Sequence, residues 1–410
     1  MESKDIFKIA LNLESPWYIK DVTMTRTDKT KSGSIDIYLD FARGSKFKDS
    51  HGVDCPVHDT ISKTWQHLNF FEHTCYIHAR VPRIKTSEGK VEQIQVSWSR
   101  PGSGFTLLFE GLAMLYIECE MPMKNAAKLL KIYDTRLSRI FNYWVERAIS
   151  NDVQKDVVNI GIDETSTKKG HNYVSTVVDM ESKRVLFVTQ GKDQSVVEKA
   201  ANHLENKGCP ISNIKHISID MSPAFIHGAT KCFPESKITF DKFHIVKLLN
   251  EALDGVRKMM RKGNDEIKGS KYLFLKKKTD LSNKELDKIG YLLNTYDNLA
   301  EAYKLKEMFQ DFWEFSNSQE AEGYLAFWCD VAIESNLTPF IKFTNTLKAH
   351  WSGIVNYFKS KLTNGILEGI NSKIQLAKRR ARGFRNNDNF INMIYFIAGK
   401  LKYDYPLYLA

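Results

Sequence analysis

The chain has 410 residues, 42% of them hydrophobic and 26% charged, a balance that supports a buried core and a globular protein of two to four domains. Its formal net charge of +10 favours a polyanionic partner, with nucleic acid foremost. No run approaches the roughly 18 to 20 apolar residues of a membrane span, which excludes a helical membrane protein.

In chain order, the start Met1-Glu2-Ser3-Lys4-Asp5 lacks the basic and apolar regions of a leader, so a soluble, cytoplasmic protein is expected. Cys55, Cys75, Cys119, Cys209, Cys232 and Cys329 are scattered, which argues for reduced thiols rather than a disulfide framework. Residues 1–100 carry short alternating runs, such as Ile35-Asp36-Ile37-Tyr38-Leu39, between polar turns, and predict a small β-rich module. Helical periodicity takes over at 104–149, with Leu107, Leu112, Leu115, Ala127, Leu130, Leu137 and Phe141 among the inward positions. The break at Ile132-Tyr133-Asp134-Thr135 predicts two helices there, so 101–150 is taken as a helix-turn-helix segment.

From residue 156 the pattern is strand, strand, strand, helix, strand: Val157 to Asp163, Tyr173 to Asp179, Val185 to Thr189, a helix near 194–206, then Ile214 to Asp220. Ser222 and Pro223 start another helix, and Lys237-Ile238-Thr239-Phe240 forms a fifth strand ending at Asp241. That order predicts an α/β, ribonuclease-H-like catalytic domain at 151–247. Residues 248–360 interrupt it with helical, Lys- and aromatic-rich sequence, and 361–410 supplies the domain's final helices. Basic clusters in the interruption (Arg257, Lys258, Arg261, Lys262; Lys276-Lys277-Lys278) and Trp313, Trp328 and Trp351 are candidates for contacting DNA, the rings by stacking on a displaced base.

Asp163 and Asp220 each close an apolar strand, which puts two carboxylates on adjacent strand ends, and Glu368 lies on the helix after residue 364. One aspartate at a strand end is usually a turn former or cap. Two together with a glutamate on a distant helix are a costly cluster of like charge that divalent cations relieve, as in two-metal phosphoryl transfer. The Glu368 helix also carries a polar stripe through Asn371 or Ser372, Gln375, Lys378 or Arg379, and Arg382, a donor-rich track suited to phosphates, and Lys378, Arg379, Arg380 and Arg382 are candidate DNA contacts.

These segments resemble the DDE transposases of bacterial insertion sequences, most closely the ISL3 family. The resemblance rests on Gly161-Ile162-Asp163-Glu164, on Ile219-Asp220-Met221-Ser222-Pro223, on Phe240-Asp241-Lys242-Phe243-His244, and on Leu367-Glu368-Gly369-Ile370-Asn371 leading to Lys378-Arg379-Arg380-Ala381-Arg382. It implies Asp163, Asp220 and Glu368 as catalytic acids holding two Mg²⁺ ions, for which Mn²⁺ can substitute, with Asp241 and His244 as a supporting Asp-x-x-His element. Lys124, Lys128, Lys131, Arg136 and Arg139 become contacts of a DNA-reading helix-turn-helix. The family's zinc-binding opening, Cys-Pro-x-Cys, stands here as Cys55-Pro56-Val57-His58, and Cys55, His58, Cys75 and His78 are a candidate tetrahedral Zn²⁺ set in a zinc-ribbon-like module. The expected partners are double-stranded DNA, as terminal inverted repeats and target, and further copies of the chain in a dimer or larger oligomer at the bacterial nucleoid. The alternatives are a nuclease of the same fold that cuts without joining, and a decayed DNA-binding protein.

Overall fold

Strict alternation of apolar and polar residues builds the first sheet, because successive side chains of a strand leave opposite faces. On β2 (Gly33–Phe41) Ile35, Ile37 and Leu39 are buried, and on β5 (His73–Lys85) Cys75, Ile77, Ala79 and Val81 join them. With β1 (Trp17–Arg26), β3 (Lys46–Lys48) and β4 (Asp54–Phe70) they form the order β1-β2-β5-β4-β3, and β6 (Val91–Gln93) also pairs with β5. Only β2 and β5 pair in parallel among these described strands. Trp17, Trp65 and Trp98 close the core edge to face, Trp98 lying 4.9 Å from Trp17 and 5.7 Å from Trp65.

This computed structural model describes residues 4, 7–8, 11–26, 33–168, 172–276, 278–362 and 365–406; Met1, Glu2, Ser3, Asp5 and Lys277, named above, lie outside them. The chain divides into one unit of residues 1–150 with 402–410 and a second of residues 151–401. The segment 361–410, expected to stay with the catalytic domain, is therefore split after residue 401.

The first unit continues with three helices where two were expected: α1 (Leu107–Glu118), α2 (Met123–Leu129) and α3 (Asp134–Asn151). Glu120 takes a left-handed φ of 59° and Pro122 starts the next helix, which ends the apolar run the periodicity had carried through. Glu110, fully buried on α1, accepts bonds from Arg100 (2.8 Å), Ser103 (2.6 Å) and the indole of Trp144 on α3 (2.8 Å), so its charge is paired and its oxygens satisfied. Trp144 also meets Tyr405 at 5.6 Å, and Arg147 grips Asp404 with bonds of 2.6 to 3.0 Å, which binds the 402–406 stretch to α3.

In the second unit β7 (Asn159–Lys168), β8 (Asn172–Asp179) and β9 (Arg184–Gln190) are consecutive and antiparallel, whereas β10 (His216–Ile219) and β11 (Lys237–Phe240) run parallel to β7. The sheet order is β11-β10-β7-β8-β9. Helices α4 (Gln194–Asn206) and α5 (Pro223–Cys232) make the crossovers that parallel strands require. Residues 242–360 are helical, with no strand among those described, and include α6 (Lys242–Met260), α7 (Lys271–Leu275), α8 (Asn283–Thr295), α9 (Asp297–Asp311), α10 (Ser318–Glu334), α11 (Thr338–Ala349) and α12 (Trp351–Ser360). Their buried Phe309, Trp328, Phe340 and Phe343 share one continuous core with the sheet's Ile160, Ile217 and Phe240. The chain then returns to the sheet with α13 (Gly365–Arg380) and α14 (Asn387–Ala398), where the Val188 N–H donates to the Tyr395 hydroxyl at 3.0 Å. No described helix is long and apolar enough to cross a membrane.

Candidate active site and nucleic-acid interface

Parallel register brings the acids to one level. Ser218 of β10 pairs with Gly161 of β7, and Ile219 pairs with Phe240 of β11, so the next residues in line are Asp163, Asp220 and Asp241. Neighbouring strands are about 4.8 Å apart, so the three acids stand at one level across adjacent parallel strands, Asp220 and Asp241 just past the carboxyl ends of β10 and β11, whereas Asp163, expected to close its strand, lies midway along β7, which runs on to Lys168 in its ladder with β8. The Asp163 carboxylate accepts from the Glu164 N–H at 2.7 Å and from the Asn371 side-chain amide at 2.6 Å, while the Asn371 carbonyl accepts from the Thr165 hydroxyl at 2.8 Å. Asp220 accepts from the Ser222 N–H at 2.9 Å in the turn that opens α5. Asp241 caps α6 by accepting from the Phe243 N–H at 2.8 Å, and His244 Nε2 lies 3.6 Å from its other oxygen.

Burial holds the Asp163 carboxyl above the usual carboxylate range, against the bonds from Glu164 and Asn371 and the nearby His244, with Asp220 pushing the same way as burial. Glu164 is pushed up to about 7, first by burial, then by Asp220, with Lys192 opposing. Asp163 and Glu164, which burial and a neighbouring carboxylate hold protonated more firmly than usual, are short of positive charge. That donor chemistry suits a divalent cation at Asp163 and Asp220.

Glu368 does not close a third side. It is exposed in the first turn of α13, three residues before Asn371, and Asn371 rather than Glu368 touches Asp163. No group of three or more His, Cys, Asp or Glu side chains converges for a metal ion among the described residues. What seats α13 on β7 is Gly161: a Cβ there would meet Met180 Sδ at 2.7 Å and the buried Leu367 at 3.0 Å, so only glycine lets the helix this close. Glu164, Thr165 and Asn371 are participants that sequence reasoning did not assign. The signal for Asn371 was its i+3 spacing from Glu368; that for Glu164 was its position directly after Asp163.

A transposase family model of the ISL3 type, of the DDE class, matches residues 160–394, and the helix-turn-helix domain model of transposase family ISL3 matches residues 94–145. The chain belongs to the ISL3 transposase family. It is similar to a transposase for insertion sequence element IS1557 of Mycobacterium tuberculosis, 25% identical over 354 residues that make up 79% of each chain. It is similar also to a transposase for insertion sequence element IS1001 of Bordetella parapertussis, 28% identical over 239 residues, 56% of this chain and 58% of that one. A chain of a simian T-cell lymphotropic virus intasome structure with PP2A regulatory subunit B56 gamma is 17% identical, covers 37% of this chain and 62% of its own, and has a TM-score of 0.17, which says nothing of this fold.

In this ISL3 transposase the matched helix-turn-helix contains α2 and most of α3, joined by a turn in which Lys131 adopts a left-handed φ of 57°. Lys124, Lys128, Arg136 and Arg139 are exposed on it. The Arg136 guanidinium lies over the Phe105 ring at 4.2 Å, and the Lys131 ammonium donates to the Glu72 carbonyl at 2.8 Å, so both already hold an internal position. On α13, Arg379 and Arg380 are exposed, as is Arg382 just beyond, whereas Lys378 donates to the Ser166 carbonyl at 2.8 Å.

Several expectations are corrected. Cys55 and His58 lie at one end of the β4–β5 ladder, on either side of Val57, which pairs with Ile84, and Cys75 and His78 lie at the other, where His67 pairs with Cys75 and Thr64 with His78. Six residues separate His58 from Thr64 and twelve separate Cys55 from His67, at about 3.3 Å each, so the two pairs do not meet in a common tetrahedral zinc site. His78 instead shares a 2.8 Å bond with Asp36, and the buried Cys55 thiol faces Asp49. Trp328 is fully buried and donates to the Leu305 carbonyl at 3.0 Å, Trp313 is 8% exposed with Lys242 over its ring at 4.7 Å, and Trp351 donates to Glu322 at 2.8 Å. The first two are core, not stacking surfaces. Arg257 is likewise buried and paired with Asp254 at 2.7 Å, which removes it from the basic cluster.

Proposed function

We propose that this transposase binds the terminal inverted repeats of its element, hydrolyses the DNA at the element ends and joins the freed 3′-hydroxyls to target DNA, with Asp163, Asp220 and Glu368 as its catalytic acids. The observation that carries the reading is the row of carboxylates that sets Asp163, midway along β7, level with Asp220 and Asp241 at the carboxyl ends of β10 and β11, in a chain of this family. The strand order β11-β10-β7-β8-β9, with three antiparallel strands first, supports a ribonuclease-H-like domain, and residues 242–360 are then a helical insertion between β11 and α13.

Asp163 and Asp220, with Glu368 as the third acid, would hold two Mg²⁺ ions, Mn²⁺ substituting, which supply a deprotonated attacking oxygen and charge stabilisation at the leaving oxygen. Asn371 fixes the Asp163 carboxylate through its amide and is itself held by Thr165. His244, near Asp163 and 3.6 Å from an Asp241 oxygen, sets an imidazole within reach of the acids. Exposed Lys124, Lys128 and Arg139 supply phosphate contacts, and α3 reads base edges in the major groove. Two DNA ends must be cut together, which favours a dimer or larger oligomer on the repeats.

The test is cleavage and strand transfer on duplexes carrying the inverted repeats that flank the coding sequence, with Asp163→Ala, Asp220→Ala and Glu368→Ala. Each variant should bind the repeats with unchanged salt dependence and yield no cut product. Any variant keeping more than a few per cent of wild-type strand transfer leaves the catalytic set, and Glu368 is the one most exposed to that outcome.

A further inference from the structure

Trp313 and Trp328 are core and Trp351 is half-buried with its indole on Glu322, yet a large aromatic ring does stand in the open close in sequence to the carboxylates. Phe243 is 57% exposed, in the first turn of α6, two residues after Asp241. Its backbone is pinned, because the Phe243 N–H donates to the Asp241 carboxylate at 2.8 Å and the Asp241 N–H donates to the Ile219 carbonyl at 3.1 Å, the residue before Asp220. The Phe243 backbone is therefore held at the ends of β10 and β11, and its side chain is presented from there.

Single exposed apolar side chains are ordinary and by themselves call for no explanation. Phe243 differs in its neighbours. It follows an acid of the carboxylate row and precedes His244, whose Nε2 lies 3.6 Å from an Asp241 oxygen, and its ring meets the His244 imidazole edge on at 5.9 Å. One helical turn along the same face is exposed Lys247. An uncharged ring has nothing to offer a phosphate, while its face can cover a flat, apolar base, and Lys247 can meet the phosphate that follows. A base inside a duplex presents only its edges, so a ring presented at this point can be used only by a base that has left the stack.

We infer that Phe243 is the stacking surface for an unpaired base next to the scissile phosphate, and so lowers the cost of opening the duplex at the cut. The inference rests on the function proposed above and adds a substrate feature to it: local unpairing at the element end.

The experiment uses the full chain and two forms of the repeat duplex, one fully paired and one with an abasic nucleotide opposite the base next to the cut, together with Phe243→Ala, Phe243→Leu, Phe243→Trp and Asp163→Ala. Base stacking on an aromatic ring is worth about a 5- to 150-fold effect. Phe243→Ala and Phe243→Leu should cut the paired duplex slower by a factor in that range, recover most of the loss on the pre-opened duplex, and leave the repeat footprint unchanged; Phe243→Trp should cut both like wild type. Equal loss on both duplexes, or cleavage of the paired duplex within twofold of wild type by Phe243→Ala, overturns the inference. Asp163→Ala separates the two readings: if it still cuts, the catalytic assignment fails whatever Phe243 does, and if it is dead while Phe243→Ala is fully active, only the stacking role fails.

Discussion

Acid should loosen the DNA-reading unit through one imidazole. His67 sits on β4, where burial pushes its pKa from 6.5 down to about 4. Its Nδ1 is 2.8 Å from the Thr106 hydroxyl, and that hydroxyl also accepts from the Phe109 N–H at 3.3 Å as the N-cap of α1. With one lone pair given to the cap, the hydroxyl's own proton suits an unprotonated Nδ1, so neutral His67 and the cap reinforce each other. The same loop is stitched to β4 by Gln66, whose N–H donates to the Gly104 carbonyl at 2.9 Å and whose carbonyl accepts from the Thr106 N–H at 3.0 Å. Because the folded pKa lies below the unfolded one, the unfolded chain takes up the proton first as pH falls; the stabilisation is complete above 6.5 and drains away toward 4. At 1.36 kcal/mol per pH unit the whole loss is about 3 kcal/mol, of which about 2 kcal/mol has gone by pH 5. Urea unfolding at pH 7, 6 and 5, with His67→Gln beside the wild type, measures it, since carboxylates that titrate in both chains cancel in the difference. The variant should start less stable and lose about 2 kcal/mol less between pH 7 and 5. If both chains lose stability in parallel, the imidazole is not neutral in the folded state and the reasoning fails.

The remaining predictions concern backbone positions. Gly161→Ala should cost about 1 to 3 kcal/mol by overpacking against Met180 and Leu367, and should slow cleavage more than repeat binding because α13 carries Asn371 away from Asp163; an unchanged melting temperature with normal cleavage would dismiss the close seating. Lys131→Gly should stabilise the helix-turn-helix by up to about 1 kcal/mol, since a left-handed φ of 57° strains any side chain, and a loss of similar size in urea titration would mean that the bond to the Glu72 carbonyl outweighs that strain.

The strands that carry Asp163 and Asp220 were legible because both end buried apolar runs, and the helical stretch after Asp241 because nothing in it alternates. Local pattern also placed Ser222, Pro223 and the 194–206 helix where they fall. What escaped depends on partners far away in the chain. Cys55 and Cys75 look paired by type and spacing, but strand register alone decides whether two residues of a hairpin meet, and here it holds them apart. Trp328 and Arg257 read as surface contacts in a Lys-rich helical region; their burial follows from a core shared with the sheet and from Asp254 one turn away. Asn371 was visible as one polar position among several on its helix, and only the glycine beneath Leu367 singles it out.

The bond pair that joins Arg147 to Asp404, and the ring of Tyr405 against Trp144, set a rule for the order of synthesis. More than 250 residues separate the two sides of that contact, and all of them must leave the ribosome before the DNA-reading unit acquires its last piece. A nascent or truncated chain that stops within α14 would carry the helix-turn-helix with Trp144 short of one covering ring. The packing around Trp144 is then complete only in molecules that also possess the carboxylate row.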